Sequence, residues 1–135
     1  MNERSLRVLE YIKIIKSLEE KCASSLGKEK VKELRPISDF NKIVDWQKET
    51  SEAESILINR VNVPLGGIND VLQYVKRTEI GSYLDPAQLL QLKETLAVAR
   101  RLKNFLKENN KENTYPIIQG LAQNLTSLKE IEEKM

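Results

Sequence analysis

Residues 85–109, DPAQLLQLKETLAVARRLKNFLKEN, decide the fold class of this chain. Asp85 offers a side-chain acceptor at an N-cap and Pro86 presets φ at the first helical position. Gln88 can return a bond to the Asp85 amide, so the spacing predicts a reciprocal capping box. From that start Leu89, Leu92, Leu96, Ala99, Leu102 and Leu106 step by three and four, a nearly heptad stripe on one face of a helix reaching Asn109. A helix of that length is about 36 Å long, enough to serve as a packing spine for shorter elements.

Working toward the N-terminus, VNVPLGGIND (61–70) breaks the helical period with Pro64, Gly66 and Gly67 and reads as a loop. Asn69 or Asp70 then caps a short helix through Lys76 and Arg77, before Gly81 relaxes the backbone. Before the loop, Phe40, Ile43, Trp46, Thr50, Ala53 and Leu57 form the expected inner edge of a helix capped by Ser38 or Asp39 and reaching Arg60. That helix is expected to pack on the first, and Trp46 to lie in the core. The first is a single amphipathic helix from Asn2 or Ser5, with Leu6, Val8, Leu9, Tyr11, Ile12, Ile15, Leu18 and Cys22 on its stripe. Between the two, Ser24 and Ser25 cap a short helix stopped by Pro36.

Toward the C-terminus, residues 109–113 make a polar connector. Pro116 opens a helix bearing Ile117, Ile118, Leu121 and Leu125, and Ser127-Leu128-Lys129-Glu130 reads as a second capping box. The expectation is one all-α domain over residues 1–135, a multi-helix bundle of long and short amphipathic helices. An end so soon after a capping signal suggests a longer natural protein.

Composition agrees with helices. The 135 residues hold 5 Gly and 4 Pro, few turn-makers, with 40% hydrophobic and 31% charged side chains, which fits an ordered globular chain. Lys plus Arg number 22 against 20 for Asp plus Glu, so the net charge of +2 is too small to steer nucleic acid by whole-molecule field. Any such contact must come from a local patch. The single Cys22 excludes an internal disulfide and fits a reducing compartment, and no apolar run near the N-terminus reads as a signal peptide or membrane span. The chain is expected to be cytoplasmic, with no membrane partner.

Reaction chemistry is missing from the sequence. With no histidine and one cysteine, the usual zinc sites and Ser-His or Cys-His nucleophilic pairs cannot be assembled. Gly27-Lys28-Glu29 lacks the earlier glycine and the Ser or Thr of a phosphate loop, and Gly66-Gly67 lacks a third glycine and a preceding strand. Paired carboxylates such as Glu19-Glu20 and Glu132-Glu133 read as solvated helix faces. No catalytic, cofactor-binding or metal-binding residue is assigned. Two basic groups stand out: Lys28, Lys30, Lys32 and Arg35, and Arg100, Arg101, Lys103 and Lys107. In the second group Arg100, Lys103 and Lys107 share one helix edge, read as exposed. These four residues are the candidate contacts to a nucleic-acid backbone.

Taken in order, LRVLEYIKIIKSLEEKCASSLGKEKVKELRP (6–36), PLGGI (64–68) and LDPAQLLQLKETLAVARRLKNFL (84–106) resemble the N-terminal region of the bacterial type II MutS proteins. One departure is Gln88, where that family often has an acidic residue; the cap is kept and a charge is lost. The resemblance implies the first part of the core and lever region of a larger DNA-binding ATPase. Later domains would supply a clamp of long helices, an ATPase that uses ATP and Mg and dimerises, and a C-terminal Smr endonuclease domain. It also implies roles in suppressing homologous recombination, a branch of DNA repair, or in ribosome quality control by rescuing collided ribosomes. The parent would be an enzyme and a homodimer, with DNA or the ribosome as partner. This segment would be a non-catalytic, force-relaying module whose immediate partner is the rest of its own chain. Two rivals need no parent. One is a freestanding helical adaptor docking through Leu121, Leu125, Leu128 and Ile131. The other is a small nucleic-acid-binding module using the four cations of the long helix.

Overall fold

A computed structural model describes residues 3–59, 62–108 and 114–135. Among them are eight helices and no strand: α1 (Glu3–Val8), α2 (Tyr11–Lys21), α3 (Ser25–Glu33), α4 (Phe40–Asn59), α5 (Leu72–Glu79), α6 (Pro86–Glu108), α7 (Pro116–Gln123) and α8 (Lys129–Lys134). The fold is all-α. The close packing falls into two groups, α1 on α2 and α2 on α3, then α4 on α7 with α7 and α8 on α6.

Most predicted helix ends are built as the sequence reads. At α6 the Gln88 amide donates to Asp85 Oδ1 at 2.9 Å and the Asp85 amide donates to Gln88 Oε1 at 3.2 Å, the reciprocal box with Pro86 at the first position. Ser24 Oγ accepts from the Gly27 amide at 3.1 Å to open α3, and Asp39 Oδ1 accepts from the Lys42 amide at 3.2 Å to open α4. Asp70 Oδ1 accepts from the Leu72 amide at 3.1 Å ahead of α5. That helix ends in a Schellman motif: Gly81 sits at φ +80, its amide donates to Thr78 O, and the Ser82 amide donates to Arg77 O.

Four expectations are corrected. The first helix is two, because Leu9 and Glu10 form a turn with Glu10 at φ 52, in the left-handed region. The reason lies in the phase of the stripe. Leu6 and Ile15 are nine residues apart, which puts them on opposite sides of one continuous helix at about 100° per residue. With the break, both face one cleft. Next, α4 packs on α7, not on the first helix, and it buries Ile56, one residue off the predicted stripe. Trp46 is consequently half exposed, at 48%. On α6 the fully buried residue is Val98, also off the predicted stripe, because α7 and α8 approach from that side. Last, α8 begins after Leu128 with no side-chain cap, so Ser127 does not form the expected box. The ends predicted at Asn2, Arg60 and Asn109, and the connector 109–113, lie outside the described residues.

The chain exposes 10490 Å². A compact protein of its mass would expose about 7,200 Å². Among the described residues the buried apolar set is small, Val31, Ile56, Val98 and Ala122, whereas Phe40, Leu57, Ile58 and Tyr83 are largely exposed.

Candidate interaction surfaces

The four cations predicted on the long helix divide into two pairs. Arg100 and Lys103 face the molecule's own elements and are only part-exposed. The Arg100 guanidinium forks onto Glu132, with Nε to Oε2 at 2.9 Å and the terminal nitrogen to Oε1 at 2.7 Å, tying α8 to α6. The hydrogen bond to Arg100, and after it the charge, hold the Glu132 carboxyl below the ordinary carboxylate range against partial desolvation. The same bond raises Arg100. Lys103 Nζ donates to the Leu125 carbonyl at 2.6 Å, satisfying backbone just past the end of α7. Arg101 and Lys107 are exposed, and Arg101 makes one long bond to Ala97 O at 3.4 Å within its own helix. The shared edge is thus not an exposed track: two of its three members clamp α7 and α8.

Sequence reasoning missed a second clamp. Glu52, on α4, accepts from the amides of Ile117, at 2.9 and 3.2 Å to its two oxygens, and of Ile118, at 2.9 Å. These are the free donors of the first turn of α7. Pro116 has no N–H, Tyr115 gives no side-chain cap, and the Gln119 amide reaches Tyr115 O at 2.9 Å. An acceptor 65 residues away in the chain therefore does what a local N-cap would do. Only the absence of Ser, Thr, Asp or Asn immediately before Pro116 hinted at a need.

The loop 62–70 is fastened to α6. Thr95 Oγ1 accepts from the Asn69 amide at 3.0 Å, and Asn69 Nδ2 donates to Gly67 O at 3.3 Å and to Glu94 Oε2 at 3.5 Å. Gly67 sits at φ +86, and a Cβ placed there would meet Glu94 atoms at 3.2 Å. No Cβ contact arises at Gly66. The two glycines thus do backbone work, one by conformation and close approach.

Two of the surface clefts have mostly apolar walls. An apolar groove of about 370 Å³ lies between α4, α6, α7 and the loop, with Ile56, Leu57, Leu65, Leu106, Leu121 and Leu125 among its walls. The other, of about 690 Å³, lies between α1, α2 and the end of α3 and has a basic rim. No group of three or more His, Cys, Asp or Glu among the described residues could hold a metal ion. Gly27 lies inside α3 with its amide bonded to Ser24 Oγ, so the Gly27-Lys28-Glu29 run makes no phosphate cradle. Among the described residues no helix is long and apolar enough to cross a membrane.

The protein named Endonuclease MutS2 from Alkaliphilus oremlandii (strain OhILAs) is 73% identical over 135 residues, all of this chain. Those of Alkaliphilus metalliredigens (strain QYMF) and Clostridioides difficile (strain 630) are 56% and 48% identical, again over the whole chain. The chain belongs to the MutS2 family. It spans 17% of the length of each of these relatives. No protein-family model matches it. Within this MutS2 segment the capping box singled out in the sequence opens α6, and Asn69, the residue after PLGGI, ties the loop to that helix.

Proposed function

We propose that this MutS2 segment is the N-terminal helical core of a larger ATPase and endonuclease, a strut without catalytic residues that carries movement from an ATP-driven part to a DNA-holding part. The observation that supports it is the unpartnered apolar surface. The excess over a compact chain of this mass, about 3,000 Å², is of the order buried in obligate interfaces, and the groove beside Leu57 and Leu121 is almost wholly apolar. Relatives about six times as long have ample chain to cover it. In this reading ATP and Mg sit in other parts of the parent, which acts as a homodimer in the cytoplasm on DNA or on collided ribosomes. Direct backbone contact from α6 falls to Arg101 and Lys107, since Arg100 and Lys103 hold α8 and α7.

Hydrogen exchange on the isolated chain and on a full-length MutS2 containing it tests the proposal. Peptides covering residues 53–59 and 117–125 should exchange at least tenfold more slowly in the full-length protein. The isolated chain should hydrolyse no ATP. Equal exchange in both, or turnover by the isolated chain, refutes the strut. The adaptor reading is supported by the exposure of Leu121, Leu128 and Ile131. It predicts that this surface stays open in the full-length protein and closes on a separate partner.

A further inference from the structure

The break at Glu10 creates a feature that neither the family nor the α6 cations account for. It turns α1 so that Arg4 and Arg7, one helical turn apart, line one side of the 690 Å³ cleft, with Lys32 and Arg35 at the end of α3 also on its lining. The side chains of Arg4 and Arg7 have no hydrogen-bond or ion-pair partner among the described residues. Arg35 is held in place by one terminal nitrogen, which donates to Lys32 O at 3.0 Å and to Leu34 O at 2.8 Å, leaving the rest of its fork to a ligand. Lys32 shares its charge with Glu19 at 3.2 Å, and Glu3 is the one acid in the lining. The rest of the lining is Leu6, Tyr11 and Ile15, part-buried and forming the floor, with Ile12 exposed beside them.

We propose that this cleft, cationic at the rim and apolar with one tyrosine ring at the floor, binds single-stranded nucleic acid, phosphates on Arg4, Arg7 and Arg35 and an unstacked base on the floor. Arginine forks match phosphate oxygens bidentately. A duplex keeps its bases stacked inside and would gain nothing from an apolar floor. A single strand presents base faces that an aromatic and aliphatic floor takes from water, without sequence preference. An acidic peptide would satisfy the same rim, and the test separates it. The inference uses residues of this chain alone and stands or falls apart from the strut reading.

Fluorescence anisotropy of labelled dT20, rU20 and a 20-base-pair duplex with the 135-residue chain provides the test. Binding of dT20 and rU20 should weaken about thirtyfold between 50 and 200 mM salt, a log–log slope of about −2 to −3 for three or four phosphate contacts. R7E/R35E should lose at least tenfold and flatten the slope, while K48E/K76E, the same charge change on α4 and α5, should stay within about threefold. Y11A should lose about tenfold at an unchanged slope, the signature of a lost stacking platform. Circular dichroism confirms that each variant keeps its helices. If a variant unfolds, R7Q/R35Q replaces it. The proposal is overturned if the duplex binds as tightly as dT20. Equally fatal are R7E/R35E matching K48E/K76E, or polyglutamate of equal charge displacing dT20 one for one.

Discussion

Replacing Glu52 with alanine removes the acceptor for two backbone amides at once, those of Ile117 and Ile118. No nearby side chain caps that turn, and Pro116 contributes no donor to it. Hydrogen bonds to a charged group contribute about 1.5–3 kcal/mol each when buried, and loss of an N-cap costs about 0.5–2 kcal/mol. Glu52 is only part-buried, so water can replace some of what is lost. The expected cost of E52A is therefore about 1–2 kcal/mol. For a chain of this size that corresponds to a melting temperature lower by about 3–8 °C. E52Q keeps the oxygen but loses the charge at the helix N-terminus, worth about 0.3–1 kcal/mol, and should fall roughly midway. Thermal melts followed by circular dichroism give the order wild type, E52Q, E52A. Amide exchange should show protection lost first at Ile117 and Ile118. S51A, an exposed neighbour on the same helix, is the control. If E52A melts with S51A and the two amides stay protected, the cross-chain cap contributes nothing and the reasoning is wrong.

Gly67→Ala should destabilise by about 1–2 kcal/mol, since φ +86 disfavours a Cβ and Glu94 stands 3.2 Å from it, while Gly66→Ala should stay within about 0.5 kcal/mol. Urea denaturation of the two variants reads the difference. The hold of Glu132 on Arg100 depends on pH: the folded carboxyl lies below its ordinary value, so its stabilisation is present above the usual carboxylate range and fades as pH falls through the folded value. Protection factors at α8, taken relative to the intrinsic exchange rate at each pH, should fall from pH 7 to pH 3 in wild type, with that added acid sensitivity absent in E132Q. Glu10→Gly relieves a left-handed residue at φ 52 and loses only an exposed pair with Lys13. It should raise stability by up to about 1 kcal/mol in the same urea assay, and a loss instead would show that the turn is held by Glu10 itself.

What could be read in advance was local. Asp85 and Gln88, Ser24 and Gly27, and Gly81 each act on partners within five residues, so their chemistry is written in adjacent letters. The faces that pack were harder. Val98 and Ile56 outrank the predicted stripes because α7 approaches α4 and α6 at angles that spacing along one helix does not encode. The candidate cations show the same division. Arg100 and Lys103 looked like free charges on a helix edge, and their employers, Glu132 and the Leu125 carbonyl, lie 32 and 22 residues away. Arg4 and Arg7 drew no attention because an uninterrupted helix would have carried Leu6 and Ile15 to opposite sides, and nothing in LRVLEYIK announces a left-handed glutamate.

The long helix α6 is fastened along its length. Gln91 takes the Tyr74 hydroxyl at 2.6 Å, Thr95 holds the Asn69 amide at 3.0 Å, Arg100 grips Glu132 and Lys103 grips Leu125 O. Those rungs span 12 residues, roughly 18 Å of axis at 1.5 Å per residue. Sliding α6 by one turn would break all four together, so the loop, α5, α7 and α8 travel as its passengers. In the strut reading proposed above, torque delivered to one end of that axle would reach the other as rotation of the whole cluster.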